Sequence, residues 1–137
     1  MKLFIKCLIL LFIGGSAYYG IEILARGFSH WTMFLVGGTC FILIGIINEI
    51  TPKMPLIRQM FFSAIIITLI EFVSGCILNL WLGWNIWDYS DEFGNVLGQI
   101  CVKHSIYWFL LSSIGIVLDD YIRYFLFGEE KPKYTII

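Results

Sequence analysis

Long apolar runs constrain this chain more than any other feature of its sequence. About 20 helical residues cross a hydrocarbon core of about 30 Å, and four stretches of the chain reach or approach that length. The runs are continuous rather than alternating, which favours helices over membrane strands. The predicted spans are about 3–24, 31–47, 60–82 and 101–118. We therefore predict an all-α membrane protein, a single domain built as a bundle of four transmembrane helices.

The composition excludes several classes of function. Hydrophobic residues make up 59% of the chain and charged residues 14%, whereas soluble domains contain about 45–50% and about 25%. A net charge of −1 also excludes a strongly basic nucleic-acid binder. The sequence has no P-loop, no C-x-x-C and no G-x-S-x-G motif, and its four cysteines are isolated. We expect no ATP site in this chain, no metal centre, no cofactor and no disulfide framework.

Lysine and arginine are unevenly distributed around the predicted spans. Seven lie at the chain start, in the second connection and in the tail, and two, Arg26 and Lys103, lie in the first and third connections. Basic residues accumulate on the cytoplasmic side of membrane proteins. This asymmetry predicts that both termini are cytoplasmic and that the loop 83–100 faces outside.

The two ends of the chain allow further expectations. Residues 1–17 also resemble a cleavable signal peptide, because small residues follow a basic start and a short apolar core. The apolar run continues to Leu24, and cleavage would leave three spans, so we favour retention. The tail from Phe127 is expected to be short and frayed.

One acidic residue, Glu71, lies in the middle of the third predicted span. An ionisable group at that depth is costly unless it is paired, hydrated or protonated, so it must face protein or a water-filled cavity. Helical spacing places it on one stripe with small or polar residues. The stripe comprises Ala64, Thr68, Gly75 and Asn79. Two interpretations stay open, namely hydrogen bonding that holds helices together and a proton or substrate site.

The other spans carry similar stripes, which are most simply the inner faces of the bundle. They comprise Gly15, Tyr18, Glu22 and Arg26 in the first span, Gly38, Phe41, Gly45 and Asn48 in the second, and Cys101, Ser105, Trp108, Ser112, Gly115 and Asp119 in the fourth. Glu22 and Arg26 are four residues apart, which predicts an ion pair at the outer end of the first helix.

The loop 83–100 combines aromatic, polar and acidic residues at one mouth of the predicted bundle. Its tryptophans and tyrosine fit an interfacial aromatic belt. We expect a substrate or proton site formed by Glu71, Asp88, Tyr89, Asn95, Gln99, Glu22 and Arg26. We expect gating or packing roles for Trp87, Ser90, His104 and Trp108. Arg26 is the nearest candidate counter-charge for the acidic residues of the loop, which lies as a lid or partly re-enters the bundle.

These residues occur in a recognisable order. The series Glu71…Trp87-Asp88-Tyr89-Ser90…Asn95…Gly98-Gln99-Ile100-Cys101…Ser105…Trp108 resembles the signature of small bacterial membrane proteins in the family named putative ABC-transporter type IV. Arg26-Gly27-Phe28, after Glu22, is similar to that family's Arg-Gly-Phe near the end of the first helix. The family often has Arg in the place of Gln99. The resemblance implies a multi-pass protein of the bacterial cytoplasmic membrane with a transport role and a separate ATPase subunit.

Three functions are compatible with this sequence. The first is a permease, or permease subunit, for a small molecule or lipid, with Glu71 as the intramembrane group and Asp88, Tyr89 and Asn95 shaping an outer gate. The second is a membrane-embedded enzyme that acts on a lipid or envelope precursor, with Glu71 or Asp88 as general acid or base. The third is an accessory subunit or a holin-like oligomer. Since four helices alone enclose little volume, we expect a homo-oligomer or a complex in the lipid bilayer.

Overall fold

The predicted all-α class is confirmed by a computed structural model, which describes residues 2–51 and 53–136. Four helices follow one another: α1 (Leu3–Arg26), α2 (Trp31–Ile50), α3 (Leu56–Gly75) and α4 (Val102–Phe127). A π-helical turn, Cys76–Trp81, continues α3 without a break. Within the described ranges the chain forms no strand. The side chain of Asn48, predicted on the inner face of α2, lies outside the described side chains.

Three of the helices are long and apolar enough to cross a membrane. They are α1, the continuous helix Leu56–Trp81 and α4, of 24, 26 and 26 residues. The apolar part of α2 that the structure describes, Trp31–Ile47, is shorter. Only 22% of the most apolar window of each long helix is buried, and each helix exposes large apolar side chains, which is stable in lipid rather than in water.

Two helix ends differ from the predicted spans by about a helical turn or more. The third span was predicted to begin at Met60, but α3 begins at Leu56, directly after Pro55, whose fixed backbone angle suits a helix start. The fourth was predicted to end at Leu118, but α4 continues to Phe127. The extension contains charged residues that pair with one another, as Arg123 does with Asp119 at 3.0 Å, so charge does not end the helix there.

The helices pack in pairs. α1 lies along α2, α3 lies along α4, and α2 also contacts both α3 and α4. Glycine permits the closest approach, because a Cβ on Gly15 would lie 2.4 Å from the Phe34 carbonyl oxygen and one on Gly38 would lie 2.5 Å from that of Leu11. The described residues of the predicted stripes are buried or half-buried, except Arg26. The apolar core comprises Leu10, Phe41, Ile44, Met60 and Ile116.

The expectation of a frayed tail was wrong. After Gly128, residues 129–136 turn back across the start of α3, where the carbonyl of Thr135 accepts the Leu56 N–H at 2.7 Å and that of Ile136 accepts the Ile57 N–H at 3.2 Å. The first N–H groups of a helix have no partner within it, and Pro55 offers no side-chain cap. The tail supplies the missing acceptors.

Charged groups join the same end of the molecule. The Arg123 guanidinium pairs with Asp119, with Glu49 of α2 and, at 3.7 Å, with Glu129 of the tail. Lys6 of α1 also contacts Glu129, at 3.3 Å. This cluster links three elements to the tail.

Candidate functional site

The segment 82–101, between the π-helical turn and α4, closes one end of the molecule. Its attachment centres on Asn79, whose Oδ1 accepts the backbone N–H of Ile86 at 2.7 Å and whose Nδ2 donates to Gln99 Oε1 at 2.8 Å. The Trp87 indole N–H donates to the Gln99 carbonyl at 3.0 Å. All four residues are buried, so a satisfied polar network positions the segment.

Gly75 lets the segment approach α3 closely. A Cβ at this position would lie 2.5 Å from Gln99 Oε1 and 3.0 Å from Trp87 Cζ2. Gln99, a predicted site residue, therefore helps to hold the segment against α3. It lines neither of the cavities described below.

Two predicted gate residues shape the turn itself. The Asp88 carboxylate accepts the Ser90 N–H at 2.9 Å, and this bond lowers the pKa of Asp88. The Asn95 amide donates to the carbonyls of Ser90 and Glu92 and accepts the Gly98 N–H at 3.1 Å. Asp88 also lines a cavity, but Asn95 does not. Asn95 therefore acts on the site through the shape of the turn.

Glu71 lies below this segment, past the middle of the long helix and nearer its π-helical end. Its side chain is 8% exposed. One carboxylate oxygen accepts the Tyr89 hydroxyl at 3.1 Å and the other accepts the Trp108 indole N–H at 3.1 Å. The carboxylate thus joins α3, the closing segment and α4 through two neutral donors.

The predicted Glu22–Arg26 pair lies at the end of α1, at 2.9 Å. Arg26 also donates to the carbonyl of Ile86 at 2.8 Å and lies 4.4 Å from the ring of Phe28. Arg26 therefore ties α1 to the closing segment. Its carboxylate partner among the described residues is Glu22, one helical turn away, rather than an acidic residue of the loop.

His104, for which a gating or packing role was expected, packs on Tyr89, and its contact with Cys101 was not predicted. Its ring stacks on Tyr89 with centroids 4.2 Å apart and an interplanar angle of 16°, and its Nδ1 lies 3.1 Å from Cys101 Sγ. Cys101 and His104 are three residues apart at a helix start, the spacing found in a capping box. This spacing could have indicated the contact between their side chains. Burial of Tyr89 next to Glu71 raises the pKa of the Tyr89 phenol.

Two adjoining cavities open beneath the closing segment. The inner cavity, of about 150 Å³, is lined by residues of all four helices and includes Glu71. The lateral cavity, of about 580 Å³, lies between α1 and α4 and includes Asp88 and His104. Glu22, Arg26, Trp87, Tyr89 and Trp108 line both. Most of the predicted site residues thus meet at one pair of cavities.

The resemblance noted in the sequence extends to most of the chain. The family model described as "Putative ABC-transporter type IV" matches residues 9–131. The chain belongs to this family. The matched range contains both cavities and every residue of the candidate site, whereas the docked end of the tail, residues 132–136, lies beyond it. Comparison with curated proteins and with solved structures gives no significant match.

Membership of the putative ABC-transporter type IV family agrees with the helices. Three helices able to cross a membrane, together with a transporter-type family, indicate a multi-pass membrane protein related to transport. Glu71, Tyr89 and Trp108, three of the residues that carry the resemblance, lie far apart in the sequence and are joined by hydrogen bonds at the cavity wall.

Proposed function

We propose that this chain is a permease, or the membrane subunit of a transporter, for a small molecule or lipid in the bacterial cytoplasmic membrane. Its family supports a transport role. The proposal includes four spans, because the 20 residues of α2 rise about 30 Å, enough for a hydrocarbon core. The distribution of basic residues supports cytoplasmic termini and an outer loop 83–100.

The observation that carries the proposal is the environment of Glu71. A carboxylate inside a membrane is costly unless it is paired, hydrated or protonated, so a buried one marks a candidate functional site. Among the described side chains, no cation forms an ion pair with Glu71, and its two donors are neutral. It lies in the wall of a cavity. Glu71 is therefore available to a proton or to a ligand.

The closing segment supplies the gate in this proposal. Tyr89 lines both cavities and donates to Glu71, so a ligand that binds Glu71 competes with the Tyr89 hydroxyl. Asp88 and Asn95 hold the turn around Tyr89, and Arg26 attaches the segment to α1. Movement of this segment would expose the inner cavity to the outer side.

The proposal includes partners. An ABC-type transporter needs an ATPase, and this chain has no P-loop, so the ATPase would be a separate subunit. A second copy of the chain is the other expected partner, because the cavities described here are small. Affinity purification from mildly cross-linked native membranes tests both, with a P-loop protein or a second copy identified by mass spectrometry.

The function itself is tested by where compounds accumulate. Cells that lack the chain are compared with cells that regain the wild type, Glu71→Gln or the exposed control Asp91→Asn. Untargeted measurements cover small molecules and lipids in the cytoplasm, envelope and medium. We expect a compound to change compartment in the deletion strain, with recovery by the wild type and Asp91→Asn but not by Glu71→Gln. An unchanged distribution in all strains would refute the proposal.

A membrane-embedded enzyme is a second candidate because of one contact. Cys101 Sγ lies within 3.1 Å of His104 Nδ1, the separation expected of a nucleophile and its base. However, Cys101 is 2% exposed and lines neither cavity, so substrate would not reach the sulfur. The same measurements separate the candidates, because an enzyme changes the chemical identity of a compound rather than its compartment. A Cys101→Ser variant would then lose the conversion.

A further inference from the structure

The two cavities share walls that suit a positively charged organic group. Four aromatic side chains line both of them: Tyr18, Trp87, Tyr89 and Trp108. The faces of tyrosine and tryptophan rings attract cations within about 6 Å, and organic ammonium groups are recognised in this way. The remaining lining of the inner cavity is mainly aliphatic.

The charged residues around the cavities also favour a cationic ligand. Glu22 and Glu71 line the inner cavity and Asp88 lines the lateral one, against a single arginine, Arg26. The Arg26 guanidinium is already engaged by Glu22, by the Ile86 carbonyl and by the Phe28 ring. An anion would find no free cation here, whereas a cation would meet the Glu71 carboxylate.

The lateral cavity opens towards the surface that we assign to lipid. α1 and α4 are not among the helix pairs in extensive contact within the described residues, and this cavity lies between them. Its rim carries Leu110 and Ile114, which are 57% and 64% exposed. An opening between two helices, bordered by exposed apolar side chains, admits a molecule from the acyl-chain region. Its volume of about 580 Å³ falls in the range of small-ligand sites, about 300–1,000 Å³.

We propose that this site binds a lipophilic organic cation, which enters from the bilayer between α1 and α4 and places its charge between the Glu71 carboxylate and the aromatic rings. The apolar substituents occupy the lateral cavity. This inference rests on the proposed function and names its substrate class.

Two ions of equal shape and opposite charge test the proposal. Binding of tetraphenylphosphonium and of tetraphenylborate to the full chain in lipid nanodiscs is measured by equilibrium dialysis, with empty nanodiscs as the blank. We expect saturable binding of the phosphonium only. Glu71→Gln should weaken it by about tenfold or more, since a charge partner is removed from a buried site. Asp91→Asn, which changes an exposed carboxylate outside both cavities, should leave it unchanged.

A measurement on the wild type avoids dependence on a variant that fails to fold. Dicyclohexylcarbodiimide is an apolar reagent that adds to carboxyl groups in membranes, and mass spectrometry locates the adduct. We expect tetraphenylphosphonium to slow the modification of Glu71 by at least about fivefold, because a saturating concentration leaves few sites unoccupied. Tetraphenylborate should have no effect on this rate. Equal binding of the two ions, preference for the borate, or full binding by folded Glu71→Gln would overturn the proposal.

The binding test can fail independently of the transport test. Phosphonium binding that depends on Glu71, in a chain whose deletion redistributes no compound, would retain the site and reject transport. Redistribution that depends on Glu71, without phosphonium binding, would retain transport and reject the cationic ligand.

Discussion

The Tyr89 hydroxyl donates a hydrogen bond to the Glu71 carboxylate at 3.1 Å. The contact joins the closing segment to the one acidic residue in the apolar interior of the long helix Leu56–Trp81. A hydrogen bond to a charged group contributes about 1.5–3 kcal/mol, and burial makes its loss more costly. It therefore serves both to hold the segment closed and to satisfy the carboxylate.

Replacement of Tyr89 by Phe tests this contact. We expect the free energy of unfolding in detergent to fall by about 1.5–3 kcal/mol, because Glu71 keeps only the Trp108 donor. Tyr107→Phe is the matched control, since its hydroxyl makes no hydrogen bond with a described residue and its side chain is 49% exposed. Equal unfolding midpoints for the two variants would contradict the assignment.

The contributions of Asn79 and Gln99 to the free energy of unfolding should be coupled. Asn79→Ala leaves the Ile86 N–H and Gln99 Oε1 without their partner, which should cost about 2–6 kcal/mol at about 1–3 kcal/mol for each buried group. In a double-mutant cycle with Gln99→Ala, the two losses should differ from additivity by at least about 0.5 kcal/mol. Chemical unfolding of the four proteins gives the coupling energy, and strictly additive losses would exclude the network.

Gly75→Ala should destabilise the protein by overpacking. The added Cβ would lie 2.5 Å from Gln99 Oε1, and inserted methyl groups in packed interiors typically cost about 1–3 kcal/mol. Gly20→Ala is the control, because a Cβ there meets no atom within 4 Å and alanine favours helix by up to about 1 kcal/mol. Thermal unfolding should thus shift in opposite directions for the two variants.

Tyr134→Phe should loosen the tail. The Tyr134 hydroxyl donates to an Asp120 carboxylate oxygen at 2.8 Å, a bond whose loss costs about 1 kcal/mol and therefore raises the open population about fivefold. The rate of trypsin cleavage after Lys133 should rise by about that factor. Tyr124→Phe in α4 serves as the control, and equal cleavage rates would indicate that the hydroxyl does not hold the tail.

The contribution of Asp88 should depend on pH. The Ser90 N–H lowers the pKa of Asp88 in the folded protein, so the carboxylate stabilises the fold above its unfolded pKa of about 3.9. This contribution is lost as the pH falls through the lower, folded value. The difference in unfolding temperature between wild type and Asp88→Asn should be largest near pH 6 and should shrink as the pH falls below about 4. A difference independent of pH would show that the ionised carboxylate is not the acceptor.

Local features of this protein were predictable from the sequence. The all-α class follows from continuous apolar runs, since every backbone group in lipid needs an internal partner. The inward stripes follow from helical periodicity, and the Glu22–Arg26 pair follows from a spacing of four residues. The family could be recognised because its residues keep their order and spacing along the chain.

The candidate site depended on contacts between distant parts of the chain. Sequence spacing does not show that Glu71 meets Tyr89 and Trp108, or that residues 129–136 return to cap α3, because such pairs depend on how the helices pack. The sequence by itself determined which residues prefer lipid and which faces turn inward, since those preferences are local. Only the tertiary structure decided which polar groups share a cavity, because each buried donor takes the acceptor that packing brings within reach.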